Sequence, residues 1–505
     1  MSRYALFLAR ILRVALLVHD SFRSRRRLRA FKRWMKSQGF VYSDALEFVD
    51  SIDSGISVRA LCDLKEGDLV ATIPKSSCLT IRTSGISSVI EDAGLGGFLG
   101  LAMALMYERS LGAASPWEGY LQLLPERECV PLVWSLEEVD TLLVGTELHK
   151  IIIEDKKFLY EDWKEYIEPL IQSRPLEIDP NSFGIEQYFS AKSLIASRSF
   201  QIDGYHGSGM VPLADLFNHK TGAENVHFTL TSSSSDSDDD IDTDIFYAFD
   251  DEKPSVKNFT NTSVGDPIGT LEMVVVKEVE AGGEVFNTYG SMGNAALLHR
   301  YGFTELENPY NIVNIDLYLV LSWFSSSYSN RYVRTRLGLW RKLNYSGCSS
   351  QNSEYFEVSS DGEPQMELLI LLYIFLSENI YQKLDSVVDS LIEANEDDKM
   401  IKLLELIKTD CEHKLEDFRE VLLTDNVCQA LISLADVRES LYGLTSLQED
   451  ISRLLNCCEL MESKLYHSLV LRVGERKILA KLRAYARNHF RAVKRRRVRK
   501  SARRC

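Results

Sequence analysis

The sequence Glu284-Val-Phe-Asn-Thr-Tyr-Gly290 decides how this chain is read, together with Met210-Val-Pro-Leu-Ala-Asp-Leu-Phe-Asn-His219 upstream of it. The run Met273-Val-Val-Val276, a turn at Ala281-Gly-Gly283 and the run Val285-Phe-Asn-Thr-Tyr289 have the pattern of a β-hairpin. A strand that ends in Asn-Thr-Tyr-Gly puts the Tyr289 phenol at the rim of a pocket, and Gly290 lets the backbone come close to whatever lies there. Asn294 to Tyr301 follows with helical spacing, Leu297, Leu298 and Tyr301 sharing a face, until Gly302-Phe-Thr interrupts it. In the upstream stretch Asp215, Asn218 and His219 are three and four residues apart, which on a turn directs them into one polar cavity. Each fragment alone is equally well an ordinary strand end with a half-buried tyrosine, or a cap around Asp and Asn.

With 505 residues, 45% hydrophobic and 26% charged, the chain can form two or three domains with full cores and is neither fibrous nor disordered. Its net charge of -15 argues against direct nucleic acid binding by the body of the protein, although both ends are basic and the middle is acidic. Nine cysteines show no Cys-x-x-Cys pair or metal-ligand spacing. Reduced thiols, an intracellular compartment and no metal are therefore expected.

Residues 1–36 form a basic segment with Asp20 as its only acid. Its apolar part, Tyr4 to Val18, is broken by Arg10 and Arg13 and does not make a transmembrane span. A plastid or mitochondrial transit peptide, an amphipathic surface helix and an extension of the gene remain open. Strand pattern runs from Ile52 to Thr80, with a hairpin turn at Glu66-Gly67. A helical insert occupies about 88–190, where Trp117, Tyr120 and Trp134 are assigned to packing. The Ser- and Asp-rich stretch at about 232–265 is expected to be a mobile loop, because it cannot bury enough apolar surface to offset its ordering entropy. Its serines among aspartates also suit acidophilic phosphorylation.

From Asn311 onward the chain is mostly helical, with an apolar helix through Leu368 to Leu376 and amphipathic stretches at Met400 to Ile407, Val427 to Leu441 and Leu447 to Leu465. The basic tail 494–505, with Lys494-Arg-Arg-Arg-Val-Arg-Lys500, is either a nuclear import signal or a basic helix end. Nucleus or cytoplasm is the expected location, unless the N-terminus directs the chain to an organelle.

Val211-Pro-Leu-Ala-Asp-Leu-Phe-Asn-His219, Gly283-Glu-Val-Phe-Asn-Thr-Tyr-Gly290 and Asn294-Ala-Ala-Leu-Leu-His-Arg-Tyr-Gly-Phe303, in this order, resemble the SET-domain methyltransferases, closest to the Rubisco large-subunit methyltransferase type. The resemblance runs from about Phe31 to Arg491. It implies an α+β SET domain at 37–310 with the helical insert inside it, followed by an all-helical substrate-binding domain at 311–493. It also implies S-adenosylmethionine as cofactor and transfer of a methyl group to lysine of a non-histone protein such as a ribosomal protein. Within the same resemblance, histidine methylation and an inactive scaffold that binds a protein partner stay open.

By resemblance, Tyr289 orients the amine and the transferring methyl. Gly55, Ile56, Arg198, Asn218, His219, Tyr289 and Phe303 hold the cofactor, with Arg198 on its carboxylate. Asp215 stabilises its motif or meets the substrate, and Tyr301 lines the lysine channel. Ser57 stands where family members usually have a second glycine.

Overall fold

The structure, a computed structural model, describes residues 25–51, 55–174, 179–230, 269–342, 355–376 and 415–502. The start of the basic segment, the acidic loop and the stretch Met400 to Ile407 lie outside these residues.

The chain divides into two units, one of Met1–Leu136, Ile151–Met292 and Ala296–Phe303, the other of Glu137–Lys150, Gly293–Ala295 and Thr304–Cys505. The strands of the first unit are β1 (Val41–Tyr42), β2 (Leu46–Ser51), β3 (Gly55–Ala60), β4 (Leu69–Pro74), β5 (Leu79–Thr80), β6 (Ser199–Asp203), β7 (Gly207–Met210), β8 (Val226–Leu230) and β9 (Thr270–Val275). In β9, Leu271, Met273 and Val275 are buried and alternate with half-exposed neighbours, the period-two pattern of a strand with one face on a core. It is central in the antiparallel sheet β1-β4-β9-β8, while β2-β3 and β5-β7-β6 form separate small sheets.

Three of the described helices of this unit matter most for its core. The first, α1 over 25–37, buries Leu28, Phe31 and Met35, spaced as one helical face. The second, α2 (Gly97–Ser110), is apolar nearly all round and buried from Leu99 to Met106, with Leu101, Met103 and Leu105 at its centre. The third, α3 (Ile185–Arg198), packs against α2 and buries Tyr188, Leu194 and Ile195. It stops where Ser199 takes extended backbone and begins β6, which leaves Arg198 at the junction of helix and sheet.

Several expectations are corrected. The stretch Val285 to Tyr289 does not return beside β9, because both edges of β9 are already occupied by β4 and β8. It is held by single bridges instead, Glu284 to Arg59 of β3 and Asn287 to His219. Likewise β3 pairs with β2 and not with β4, so the two strands flanking Glu66-Gly67 belong to different sheets. The core takes in Phe31 and Met35, so the first unit begins before residue 37.

Among the described residues, the regular structure of the second unit is helical apart from the antiparallel pair β10 (Val313–Asp316) and β11 (Tyr355–Val358). Its main helices are α4 (Met366–Leu376), α5 (Asp425–Ser440), α6 (Leu447–Asn456) and α7 (Ser463–Ala502). The stretch expected from Leu447 to Leu465 is thus two helices, with a break between Asn456 and Ser463. Residues 137–150, from within the expected insert, join this unit. The reason is electrostatic: the Arg438 guanidinium donates to the Gly145 carbonyl (2.6 Å) and to Glu147 Oε1 (2.9 Å), which also accepts from Asn314 N (2.7 Å). Glu475 completes the cluster, accepting from the Tyr442 hydroxyl at 2.5 Å and lying 3.6 Å from Arg438.

Burial, with the nearby Glu147 carboxylate, pushes the Glu475 carboxyl up to about 8. A native carboxyl raised above its unfolded value binds its proton more tightly when folded, so its stabilising contribution is present below the unfolded pKa and is lost as pH rises through about 8. Glu475→Gln is therefore expected to flatten the fall in urea midpoint between mildly acidic and alkaline pH. Parallel falls in the variant and the parent would contradict the assignment.

Candidate active site

The site starts from a strained peptide. Leu213, buried between Pro212 and Ala214, has φ 78°, the one positive φ of a non-glycine residue among the described residues. Such a conformation costs on the order of 1–3 kcal/mol and persists only where its surroundings enforce it. A single 3-10 turn, Ala214–Leu216, follows, after which Phe217 returns to extended backbone. This reversal turns the Asp215 side chain into the protein and sends 217–219 along 287–289.

The two motifs are then joined bond by bond. Asn287 N donates to the Asn218 carbonyl (2.9 Å), and Asn225 N and Phe286 N exchange bonds with the Phe286 carbonyl (2.9 Å) and Asn225 Oδ1 (3.0 Å). Tyr289 is held at both ends: its backbone N donates to His219 Nδ1 (3.1 Å), and its hydroxyl donates to the Phe217 carbonyl (3.1 Å). Burial, reinforced by the neighbouring Tyr301, pushes the Tyr289 phenol well above its ordinary value, so it stays protonated and donates.

Around it lies an aromatic cluster. The Tyr289 ring stacks on Tyr301 with centroids 4.3 Å apart and on His219 at 5.1 Å, and Phe303 lies 6.2 Å from His219 and 6.3 Å from Tyr301. The expected helix is present as Asn294–Tyr301, and Gly302 ends it at φ 81° with its N–H donating to the Leu297 carbonyl (3.1 Å). A Cβ at Gly302 would meet the Cys129 carbonyl oxygen at 3.0 Å, so both backbone and space call for glycine where the chain turns back to present Phe303.

Behind the cluster runs a buried charge chain. Arg198 Nε donates to Glu128 Oε1 (2.5 Å), and its Nη1 donates to the Asp215 carbonyl (3.2 Å) and Oδ2 (3.4 Å). The same Oδ2 accepts from the Tyr120 hydroxyl at 2.8 Å. Burial opposes the Arg198 charge, but Glu128 and Asp215 together hold it firmly protonated. Burial pushes the Asp215 carboxyl up, with Arg198 pulling against it.

The residues read from the sequence therefore fall into three groups. His219, Tyr289, Tyr301 and Phe303 form one cluster. Asn218 borders it, its side-chain amide donating to Glu284 Oε1 at 2.8 Å. Gly55 and Ile56 lie at the start of β3, which meets the Tyr289 segment through Val285 N to the Val58 carbonyl (2.8 Å) and Ala60 N to the Gly283 carbonyl (2.9 Å). Gly55 has φ 70° and open space where a Cβ would stand, whereas the Ser57 side chain is taken into the protein.

Of the two roles read for Asp215, stabilising its motif agrees with the structure and meeting the substrate does not. Its side chain has no accessible surface, so it holds Tyr120 and Arg198 and does not face a substrate. Tyr120 and Glu128 were missed. Tyr120 does pack against Phe31 and Trp34, but a fully buried phenol also needs a hydrogen-bond partner, and that requirement was the available signal. Glu128 carried no local signal at all.

This chain makes Arg198 structural as well as accessible. Arg198→Ala leaves two carboxylates without their cation and is expected to lower stability by about 3–5 kcal/mol, read from urea unfolding. An unchanged midpoint would mean that Asp215 and Glu128 do not depend on it.

Comparison with known proteins gives a consistent picture. The chain is 27% identical over 299 residues to N-lysine methyltransferase setd6 of Danio rerio, covering 55% of this chain and 57% of that protein. It is 26% identical over 324 residues to ribosomal lysine N-methyltransferase 3 of Saccharomyces cerevisiae, covering 52% and 59%. The chain thus spans a little over half the length of these relatives. No family model matches it. Among solved structures, the SET domain of LSMT bound to lysine and AdoHcy superposes with a TM-score of 0.62 at 20% identity, covering 92% of this chain and 91% of that one. Rubisco LSMT bound to AdoMet superposes with a TM-score of 0.60 at 19% identity. The chain therefore has the fold of the LSMT SET-domain structures, and over about half of its length it is similar in sequence to N-lysine methyltransferases.

Proposed function

We propose that the chain is an S-adenosylmethionine-dependent protein-lysine N-methyltransferase acting on a non-histone protein such as a ribosomal protein, in the nucleus or cytoplasm. The observation that carries this reading is the clamp on Tyr289: a protonated phenol fixed by the Phe217 carbonyl and the His219 ring, inside a cluster of aromatic faces.

The residues present fit the cofactor. The faces of Tyr289, Tyr301 and Phe303 attract a sulfonium cation. Arg198 keeps 25% of its side-chain surface accessible, enough for a charged grip on a carboxylate beyond its bonds to Glu128 and Asp215. Gly55 and Ile56, with Asn218 and His219, supply backbone on the flanks. When bound, S-adenosylmethionine supplies a methyl group on a sulfonium sulfur, open to in-line displacement by a neutral amine.

The protein's part is alignment and deprotonation. A free lysine, with a pKa of about 10.4, is charged at neutral pH. Loss of water on entering the site and a neighbouring cation both disfavour that charge, so the amine sheds its proton there. Glu128 and Asp215 are committed to Arg198, and neither serves as a base. The Tyr289 hydroxyl and the Phe217 carbonyl orient the amine lone pair, and Tyr301 lines its path. The helical second unit is proposed to select the protein substrate.

Tyr289→Phe keeps the ring and its stacking, so the fold and cofactor affinity are expected to stay close to those of the parent. Turnover, measured as labelled methyl incorporated into a protein extract, should fall by on the order of 10² or more. Normal turnover in the variant would overturn the assigned role. Methyl groups mapped to histidine and not to lysine would overturn the assigned acceptor.

A further inference from the structure

The outer face of α1 has no counterpart in the site just described. Residues 25–37 contain seven cations and no acid, in a chain whose net charge is -15. Arg25, Arg29 and Lys36, with Arg26 and Arg33 alongside, are exposed on the side away from the buried Leu28, Phe31 and Met35. None of these five forms an ion pair among the described residues. The result is an unneutralised basic stripe roughly 18 Å long, from a rise of about 1.5 Å per residue.

The acidic counterpart is tethered next to it. Between Thr231 and Glu252 the sequence holds nine acids (Asp236, Asp238–Asp240, Asp242, Asp244, Asp250–Glu252) and no basic residue. The structure fixes where that insert leaves and returns. Leu230, the last residue of β8, pairs with Leu271 of β9, and Gly269 accepts from Lys75 N at 3.1 Å just past the end of β4. At this same end of the sheet β1 begins, immediately after α1: the Ser77 hydroxyl donates to the Gln38 carbonyl (3.2 Å), and a Cβ at Gly39 would lie 3.7 Å from Pro74.

Three strand spacings separate β8 from β1 in this sheet, about 14 Å at roughly 4.8 Å each. Asp236 is six residues from Leu230, a reach of about 20 Å when extended. Geometry and charge therefore meet, and tethering supplies an effective concentration on the order of millimolar.

We propose that the acidic insert docks along the basic stripe of α1, an intramolecular electrostatic contact that neutralises this face and withholds it from external polyanions. Phosphate on the serines at 232–235 and 237 would add to it, each bringing about -1.5 to -2 charge at neutral pH.

The test is zero-length carbodiimide coupling of the full-length chain carrying Arg29→Lys and Arg33→Lys, which keep the charge and add two amines to the stripe. At low salt, peptides linking Lys36 or the two new amines to carboxylates at 236–252 are expected. They should be lost near 1 M salt, where screening falls to about 3 Å. A parallel variant with the nine acids changed to Asn or Gln should bind heparin at least tenfold more tightly than the parent. Insert carboxylates that couple only to amines elsewhere, or to none, would overturn the proposal. So would a parent that binds heparin as tightly as the neutralised variant, since the stripe would then be free for external polyanions.

Discussion

Everything in the first unit converges on the seam between 217–219 and 286–289. Neither stretch is a regular strand, so neither can rely on a sheet ladder for its backbone groups. They satisfy each other instead, Asn287 on Asn218 and Tyr289 on His219, with Asn225 closing the end of the seam. The Leu213 conformation is the cost of this arrangement, and the tightly packed residues around it over-determine that strained backbone. Under the proposed function, a phenol fixed at both ends loses little entropy when a substrate arrives.

Electrostatics in the two units follows one rule. Around Arg198 in the first unit and Arg438 in the second, a guanidinium lies between two acidic side chains that are far apart in sequence, and a buried tyrosine hydroxyl satisfies one of them. A planar fork with several donors suits this role where a single ammonium would leave acceptors empty. The difference is accessibility. Arg438 keeps 6% of its side-chain surface and serves the fold, whereas Arg198 keeps 25% and sits beside the aromatic cluster.

How much of this was legible depended on distance along the chain. The helix ending at Tyr301 and the turn at Gly302 were readable, because their signals, a 3.6-residue period and a glycine, are local. The joining of Asn218 and His219 to the segment that carries Tyr289 was legible only as a resemblance. The hairpin after β9 was misread because occupancy of a strand's edges is decided by β4 and β8, which no local pattern reports. Tyr120 and Asp215 are separated by 95 positions, and Glu128 and Arg198 by 70, so no periodicity could reveal the buried chain that fixes Arg198. The reassignment of 137–150 to the helical unit has the same origin, a contact between Glu147 and Arg438 across 291 positions.

The aromatic cluster around Tyr289, backed by Arg198, is the binding site proposed for S-adenosylmethionine. Calorimetric titration of the folded full-length chain with S-adenosylmethionine tests it most directly. The account predicts saturable binding at one site per chain, and a folded protein that gives no binding heat and no competition by the demethylated product would contradict it.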